Sequence, residues 1–294
     1  MRRTASFLLG AFFLFSGLGI AMAQEQSEGT MPPPKVLAIY REFLKPGKAG
    51  GPHEKTESAF VQAVTQAKWP EHYLAVDSLS GRPRSLFLYG YDSFAAWEKD
   101  GQAQEKNATL SAALARASLA DGELLSETES SVFIFREDQS LRAPVDIARM
   151  RYFEISIYMV RPGHAHEWDE LVKLVKAAYE KIPDAHWAMY EEAYGQGGSE
   201  YLVFTPMKSA VEIDAGFARD KEFVANMGED GMKKLSEMES SAVESRQSNL
   251  FMFNPKTSYP REEWIKADPD FWKPKASMPM HMPKKGMEKP AGAQ

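Results

Sequence analysis

The chain is predicted to be an α+β protein in which two tandem β-α-β-β-α-β units close one barrel. Three observations predict it. A strand pattern, Val36–Leu44, runs into Lys45-Pro46-Gly47, and a second, Tyr152–Val160, runs into Arg161-Pro162-Gly163, a period of 116 residues. The next three apolar runs recur in the same order: 72–77 against 186–191, 85–89 against 200–204, and 132–135 against 250–253. Helical periodicity separates the strands at matching places in both copies.

The elements follow in order. Arg2 and Arg3, an apolar run from Phe7 to Ile20, and Ala21-Met22-Ala23 read as a signal peptide over residues 1–23, which predicts export to the periplasm or beyond. The first repeat spans 34–136. Its first helix carries the stripe Phe60, Ala63, Val64, Ala67 and stops at Trp69-Pro70. A hairpin turns at Ser80-Gly81-Arg82-Pro83, and residues 92–125 read as helical, with Leu110, Ala113, Leu114 and Ala117 on one face. Residues 137–149 form a polar linker.

The second repeat spans 150–254. Trp168, Leu171, Val172, Val175, Ala178, Tyr179 and Ile182 form a strong helical stripe ended by Pro183. Glycines from 195 to 198 turn the hairpin, and Met232, Leu235 and Met238 mark the last long helix. Tyr259, Trp264, Phe271 and Trp272 make 255–272 a segment expected to dock on the body. Residues 273–294, rich in Met, Pro and Lys, are expected to be disordered. Met278, Met280, His281, Met282 and Met287 offer soft ligands suited to Cu(I), although such composition is common in plain solvated tails.

Each copy has the ferredoxin-like order. Such a sheet covers one face with its own helices and must bury the other. Two copies in one chain bury those faces against each other. Along the strand at 152–160, alternation separates Ile155, Ile157 and Met159 from Glu154, Ser156 and Tyr158. The apolar set is expected under the helices and the polar set inside the barrel, lining a pocket. Tyr40 and Glu42 stand where Ser156 and Tyr158 stand in the other copy. The alternative is that these polar residues sit at strand ends or satisfy one another.

The strand running into Lys45-Pro46-Gly47 or Arg161-Pro162-Gly163, then a helix, then the hairpin, resembles the dimeric α/β-barrel superfamily, in particular its NIPSNAP-like and antibiotic-biosynthesis-monooxygenase-like domains. The resemblance covers residues 34–254. It implies the barrel fold, and a superfamily of cofactor-free oxygenases, haem-degrading or haem-binding proteins, and many proteins of no established activity. No catalytic set transfers residue by residue, and fold likeness does not establish chemistry.

Composition narrows the function. The 294 residues contain no cysteine, which removes disulfides, thiolate nucleophiles and Cys-based metal centres. With 35 Lys+Arg against 41 Asp+Glu, the net charge of −6 argues against a nucleic-acid partner. Nothing after the signal segment is long and apolar enough to span a membrane. Because two units pair within the chain, a monomer or a homodimer both fit. No phosphate-binding glycine loop or nucleophile elbow is present.

The candidate site residues are Tyr40, His72, Glu154, Tyr158 and His186, with His72 and His186 at matching places in the two copies. His164, His166 and Glu170 are a metal candidate that lacks further ligands. No cofactor is predicted, and the resemblance allows haem held by His53, His72, His164, His166 or His186. Phe133, Phe135, Phe251 and Phe253 read as core. The expected function is an exported protein whose barrel binds a small apolar or aromatic molecule. The alternatives are a cofactor-independent monooxygenase-like enzyme, a haem-binding protein, or a non-catalytic envelope protein with a filled barrel that docks on another protein.

Overall fold

The computed structural model describes residues 30–273 except residue 196. The first half contains β1 (Val36–Leu44), α1 (Gly51–Gln66), β2 (Tyr73–Ser78), β3 (Arg84–Tyr91), α2 (Phe94–Lys106), α3 (Ala108–Gly122) and β4 (Leu125–Phe135). The second contains β5 (Tyr152–Val160), α4 (Ala165–Tyr179), β6 (Ala188–Tyr194), β7 (Ser199–Met207), α5 (Val211–Ala242) and β8 (Val243–Phe253). Short helices α6 (Glu262–Ala267) and α7 (Pro269–Trp272) follow. The expected signal peptide at 1–23 and the Met/His segment from 278 lie outside the described residues. No helix among the described residues is long and apolar enough to cross a membrane.

All eight strands close one antiparallel barrel in the order β1-β3-β2-β8-β5-β7-β6-β4. Each half contributes a ferredoxin-like sheet of four strands, and the halves are sewn at two seams. Val76 to Ser78 pair with Phe253 to Phe251 at one. Val132 to Phe135 pair with Tyr194 to Tyr190 at the other. Closure leaves no open sheet edge.

Side-chain alternation runs opposite to the expectation. Phe153, Ile155 and Ile157 face the barrel interior, where they meet Leu37, Ile39, Leu74, Val76 and Phe251. Glu154, Ser156 and Tyr158 face the helices instead. An eight-stranded barrel is just wide enough for its own side chains to fill or for one small ligand. Here large apolar side chains claim most of the interior, and the mixed residues fall on the helix side. Phe133, Phe251 and Phe253 lie in that interior, all at or below 1% exposure. Toward one end the packing turns polar. Arg41 donates to Ser131 Oγ at 2.9 Å, and Arg84 to Asn249 Oδ1 at 2.5 Å.

Local chemistry explains the breaks in the helical stretches. Asn107 ends α2, and its side chain accepts the Leu110 N–H at the start of α3. Gly228, at φ 66°, interrupts α5. The opposite end of the barrel is covered by chain outside the two repeats. Trp272 is buried in the barrel core and donates from Nε1 to Ala148 O at 2.9 Å. Arg151 pairs with Asp268 and lies 3.8 Å from the Phe271 ring centre.

Candidate functional site

The outer face of the first half carries a buried acidic cluster around one histidine. Glu42, near the end of β1, is paired in register with Ser85 on β3, so both point toward the helices. Gly50, at φ 73°, turns the chain into α1, whose first turn holds Pro52 and His53. Glu57 follows one turn later on the same face, and Asp121 arrives from the last turn of α3. His53 Nε2 lies 3.0 Å from Glu42 Oε2, 3.6 Å from Asp121 Oδ1 and 3.8 Å from Glu57 Oε1. Thr56 donates to Asp121 Oδ1 at 2.5 Å, and Ser85 donates to Asp77 Oδ1 at 2.5 Å.

Burial sets the protonation of these groups. Glu57 is pushed up to about 10, first by desolvation and then by the charges of Glu42, Asp121 and Asp77. Glu42 is raised by burial, against the hydrogen bond from His53. For His53, burial acts downward, but the Glu42 hydrogen bond and the neighbouring carboxylates outweigh it and hold the imidazole above its ordinary value. Glu57 Oε1 and Asp121 Oδ2 are buried and accept no hydrogen bond.

Glu42 and Glu57 form part of the wall of a cavity of about 470 Å³ between the sheet and helices α1, α2 and α3. Tyr40, Trp69, Tyr73, Phe87, Tyr89, Tyr91 and Trp97 supply aromatic walls, and Glu71 and Asp100 supply two more carboxyls. Among the described residues no Lys or Arg lines it. Asp100 accepts from Trp69 Nε1 and from the Tyr91 hydroxyl, each at 2.9 Å, which fixes two of the walls. Small residues on the helix side, among them Gly101, Ala115 and Ser118, leave the space open.

The second half solves the same place differently. Tyr158 pairs with Tyr201 in the register that joins Glu42 to Ser85 in the first half. Trp168 of α4 packs between them, with ring centres 5.1 Å from Tyr158 and 4.9 Å from Tyr201. Aromatic rings thus fill the volume that acids and a histidine occupy in the first half.

The five expected pocket residues are spread over three cavities. Tyr40 lines the one described above. Glu154, Tyr158 and His186 line a second cavity of about 490 Å³, outside the barrel under α4 and α5. His72 and His186 meet at a third, apolar cavity of about 250 Å³ at the barrel end. There His72 stacks on Tyr259 with ring centres 4.4 Å apart, and burial lowers its pKa. His186 has Asp184 O at 2.9 Å from Nδ1 and Pro206 O at 2.8 Å from Nε2, so neither nitrogen is open to the cavity. His164, His166 and Glu170 do not converge: Glu170 is held by Lys173 at 2.7 Å, and His164 lies beside Glu167.

Glu57 and Asp121 were not among the residues expected from sequence. The signal for Glu57 was its phase. It stands four residues after His53 on the face of α1 that continues through Phe60 and Val64, where an apolar residue belongs. Asp121 carried no local signal, because its partners come from α1 and β1. Of the histidines the resemblance offers to haem, His53 lies between Glu42 and Ser85 and His186 between two carbonyls, whereas His72 is engaged only through Nδ1, by Tyr259 O, and lines the apolar cavity at the barrel end. Neither His164 nor His166 lines a cavity described above.

No family model and no curated protein matches the chain. Among solved structures, an anthrone oxidase-like protein is similar at 15% identity and a TM-score of 0.49, over 75% of this chain and 92% of its own. A mutant chlorite dismutase from Candidatus Nitrospira defluvii is similar at 12% identity and a TM-score of 0.44, over 79% and 95%. A candidate monooxygenase from Lactobacillus acidophilus NCFM is similar at 7% identity and a TM-score of 0.44, over 74% and 93%.

Proposed function

We propose that the protein binds a small aromatic molecule bearing a positive charge or hydrogen-bond donors, in the cavity between the sheet and the helices of its first half. One observation carries this reading: the cavity combines aromatic walls with the carboxyls of Glu42, Glu57, Glu71 and Asp100 and, among the described residues, no Lys or Arg lines it. Aromatic faces attract cations and stack on rings, and ionised carboxyls in the wall repel anions. Large side chains fill most of the barrel interior, and the space left at its end, about 250 Å³, is apolar apart from His72, His186, Asp92 and Arg261, so the acid-lined cavity outside the sheet suits a cationic aromatic ligand better. A NIPSNAP-like or monooxygenase-like assignment belongs to this reading too, supported by the paired β-α-β-β-α-β halves. Of the enzyme chemistries considered, proton transfer is the one these side chains serve, because Glu42 and Glu57 both face the cavity and Glu57 keeps its proton at neutral pH.

The test uses the tryptophans that line the cavity. Aromatic amines titrated into the full chain should change the fluorescence of Trp69 and Trp97, while carboxylates of the same shape should not. Asp100→Asn should weaken amine binding about tenfold, or about 1.4 kcal/mol. Equal response to amines and carboxylates, or none to either, would refute the proposal. Export belongs to the same proposal, on the strength of the Arg2-Arg3 pair, the apolar run and Ala21-Met22-Ala23. N-terminal sequencing of protein from its own host should begin at Gln24.

A further inference from the structure

We infer that Glu42, His53, Glu57 and Asp121 form a binding site for a divalent first-row transition cation. The four residues each offer one ligand atom, and those atoms all lie within 4.8 Å of one another. A tetrahedral ion with bonds of about 2.1 Å spaces its ligands about 3.4 Å apart. The distances from His53 Nε2 to the three carboxylates, 3.0, 3.6 and 3.8 Å, bracket that spacing.

Two further observations point to a missing ligand. The Glu57 side chain is only 4% exposed and its Oε1, which faces His53, accepts no hydrogen bond. A buried carboxyl oxygen without a hydrogen bond is costly unless something fills the position, and a cation bound there would displace the proton that Glu57 otherwise keeps. The fold itself does not call for acids here. At the matching register in the second half, Trp168 packs between Tyr158 and Tyr201, so an apolar solution is available to the same architecture. Among the described residues no Lys or Arg contacts the cluster to neutralise it.

The ligand set selects the ion class. Three carboxylates with one imidazole suit zinc, manganese or iron, whereas magnesium and calcium prefer oxygen alone. The other ring nitrogen of His53 faces Ser85 Oγ at 3.4 Å, a contact of the kind that orients metal-bound histidines. Glu42 and Glu57 also face the cavity, which gives the ion an entry path. The inference stands on this geometry and does not depend on the organic ligand proposed above.

The experiment is a titration of the chelator-treated full chain with Zn(II), followed by a competing chromophoric chelator, and with Mn(II), followed by electron paramagnetic resonance. One ion per chain is expected. Glu57→Gln and Asp121→Asn should each weaken binding tenfold or more while circular dichroism stays native. His166→Ala should leave binding unchanged, since that residue lies outside the cluster. Should the variants fail to fold, Co(II) added to the unmodified chain should give visible bands stronger than those of the aqueous ion. Binding of neither zinc nor manganese, equal binding by Glu57→Gln and Asp121→Asn, loss in His166→Ala, or a Co(II) spectrum like that of the free ion would each overturn the site.

Discussion

Arg41 on β1 reaches across the barrel lumen and donates from Nη2 to Glu200 Oε1 on β7 at 3.0 Å, an ion pair between the two halves of the chain. Its side chains are 9% and 16% exposed. The same guanidinium lies 5.6 Å from the Phe133 ring centre, at the boundary between the polar end and the apolar core. The pair thus links the halves beside the strand pairing at the seams, as Arg84 with Asn249 and Arg136 with Glu191 also do.

Removing one partner of this pair should be costly. Arg41→Ala leaves Glu200 buried and alone, and should lower stability by about 2–3 kcal/mol, somewhat below the usual range for buried pairs because Glu200 keeps some solvent. Burial already raises the pKa of Glu200, despite the opposing charge of Arg41. A carboxyl whose folded pKa exceeds its unfolded value stabilises below the unfolded value, about 4.3, and loses that contribution as pH rises through the folded value. Thermal unfolding should therefore show Glu200→Gln gaining on the native chain between pH 4 and pH 7. A constant difference across that range would contradict it.

Trp272 should matter far more than the residues after it. It is 3% exposed, packs near Trp264 and Phe271, and donates to Ala148 O. Trp272→Ala should cost about 3–5 kcal/mol, as for other large buried aromatics. Truncation of residues 274–294 should leave the unfolding midpoint and its cooperativity unchanged. Urea titration of both variants checks this.

Gly90 should tolerate no side chain. A Cβ there would lie 2.7 and 2.8 Å from ring carbons of Pro34, whose ring cannot swing aside. Gly90→Ala should therefore destabilise by about 1–3 kcal/mol, through overpacking rather than backbone strain. An unchanged urea midpoint would show that the 31–34 segment moves freely off the barrel end.

The paired histidines should be dispensable for ligand binding in the first half. Neither His72 nor His186 lines that cavity, and His186 is held by two carbonyls. The double variant His72→Ala/His186→Ala should keep the fluorescence response to aromatic amines. Loss of that response in a folded double variant would return the site to the barrel end.

Much of the fold was legible because it depends on periodicity and repetition. Lys45-Pro46-Gly47 and Arg161-Pro162-Gly163 mark matching strand ends, and the first strand of each copy matches its observed element. By contrast, β4 and β8 begin at Leu125 and Val243, seven residues before the apolar runs at 132 and 250, because their polar first halves carry no apolar run. The facing of those strands was not legible. Period-two alternation separates Ile155 from Ser156 but does not say which of two buried faces is the lumen. The candidate site was half legible. Tyr40 and Glu42 showed as polar positions on a strand, whereas Asp121 became relevant only when α3 packed beside α1.

The amino-acid sequence by itself determined the two β-α-β-β-α-β units, their order and the absence of thiol chemistry, because hydrophobic period and composition act locally along the chain. Tertiary structure alone decided that apolar side chains face the lumen, that the duplicated histidines are tied to backbone carbonyls, and that four residues from β1, α1 and α3 converge on one point. The physical reason is volume. Apolar side chains fill most of the space eight strands enclose, so the larger cavities and the acid cluster fall in the layer between sheet and helix, and the lumen keeps its charges at one end.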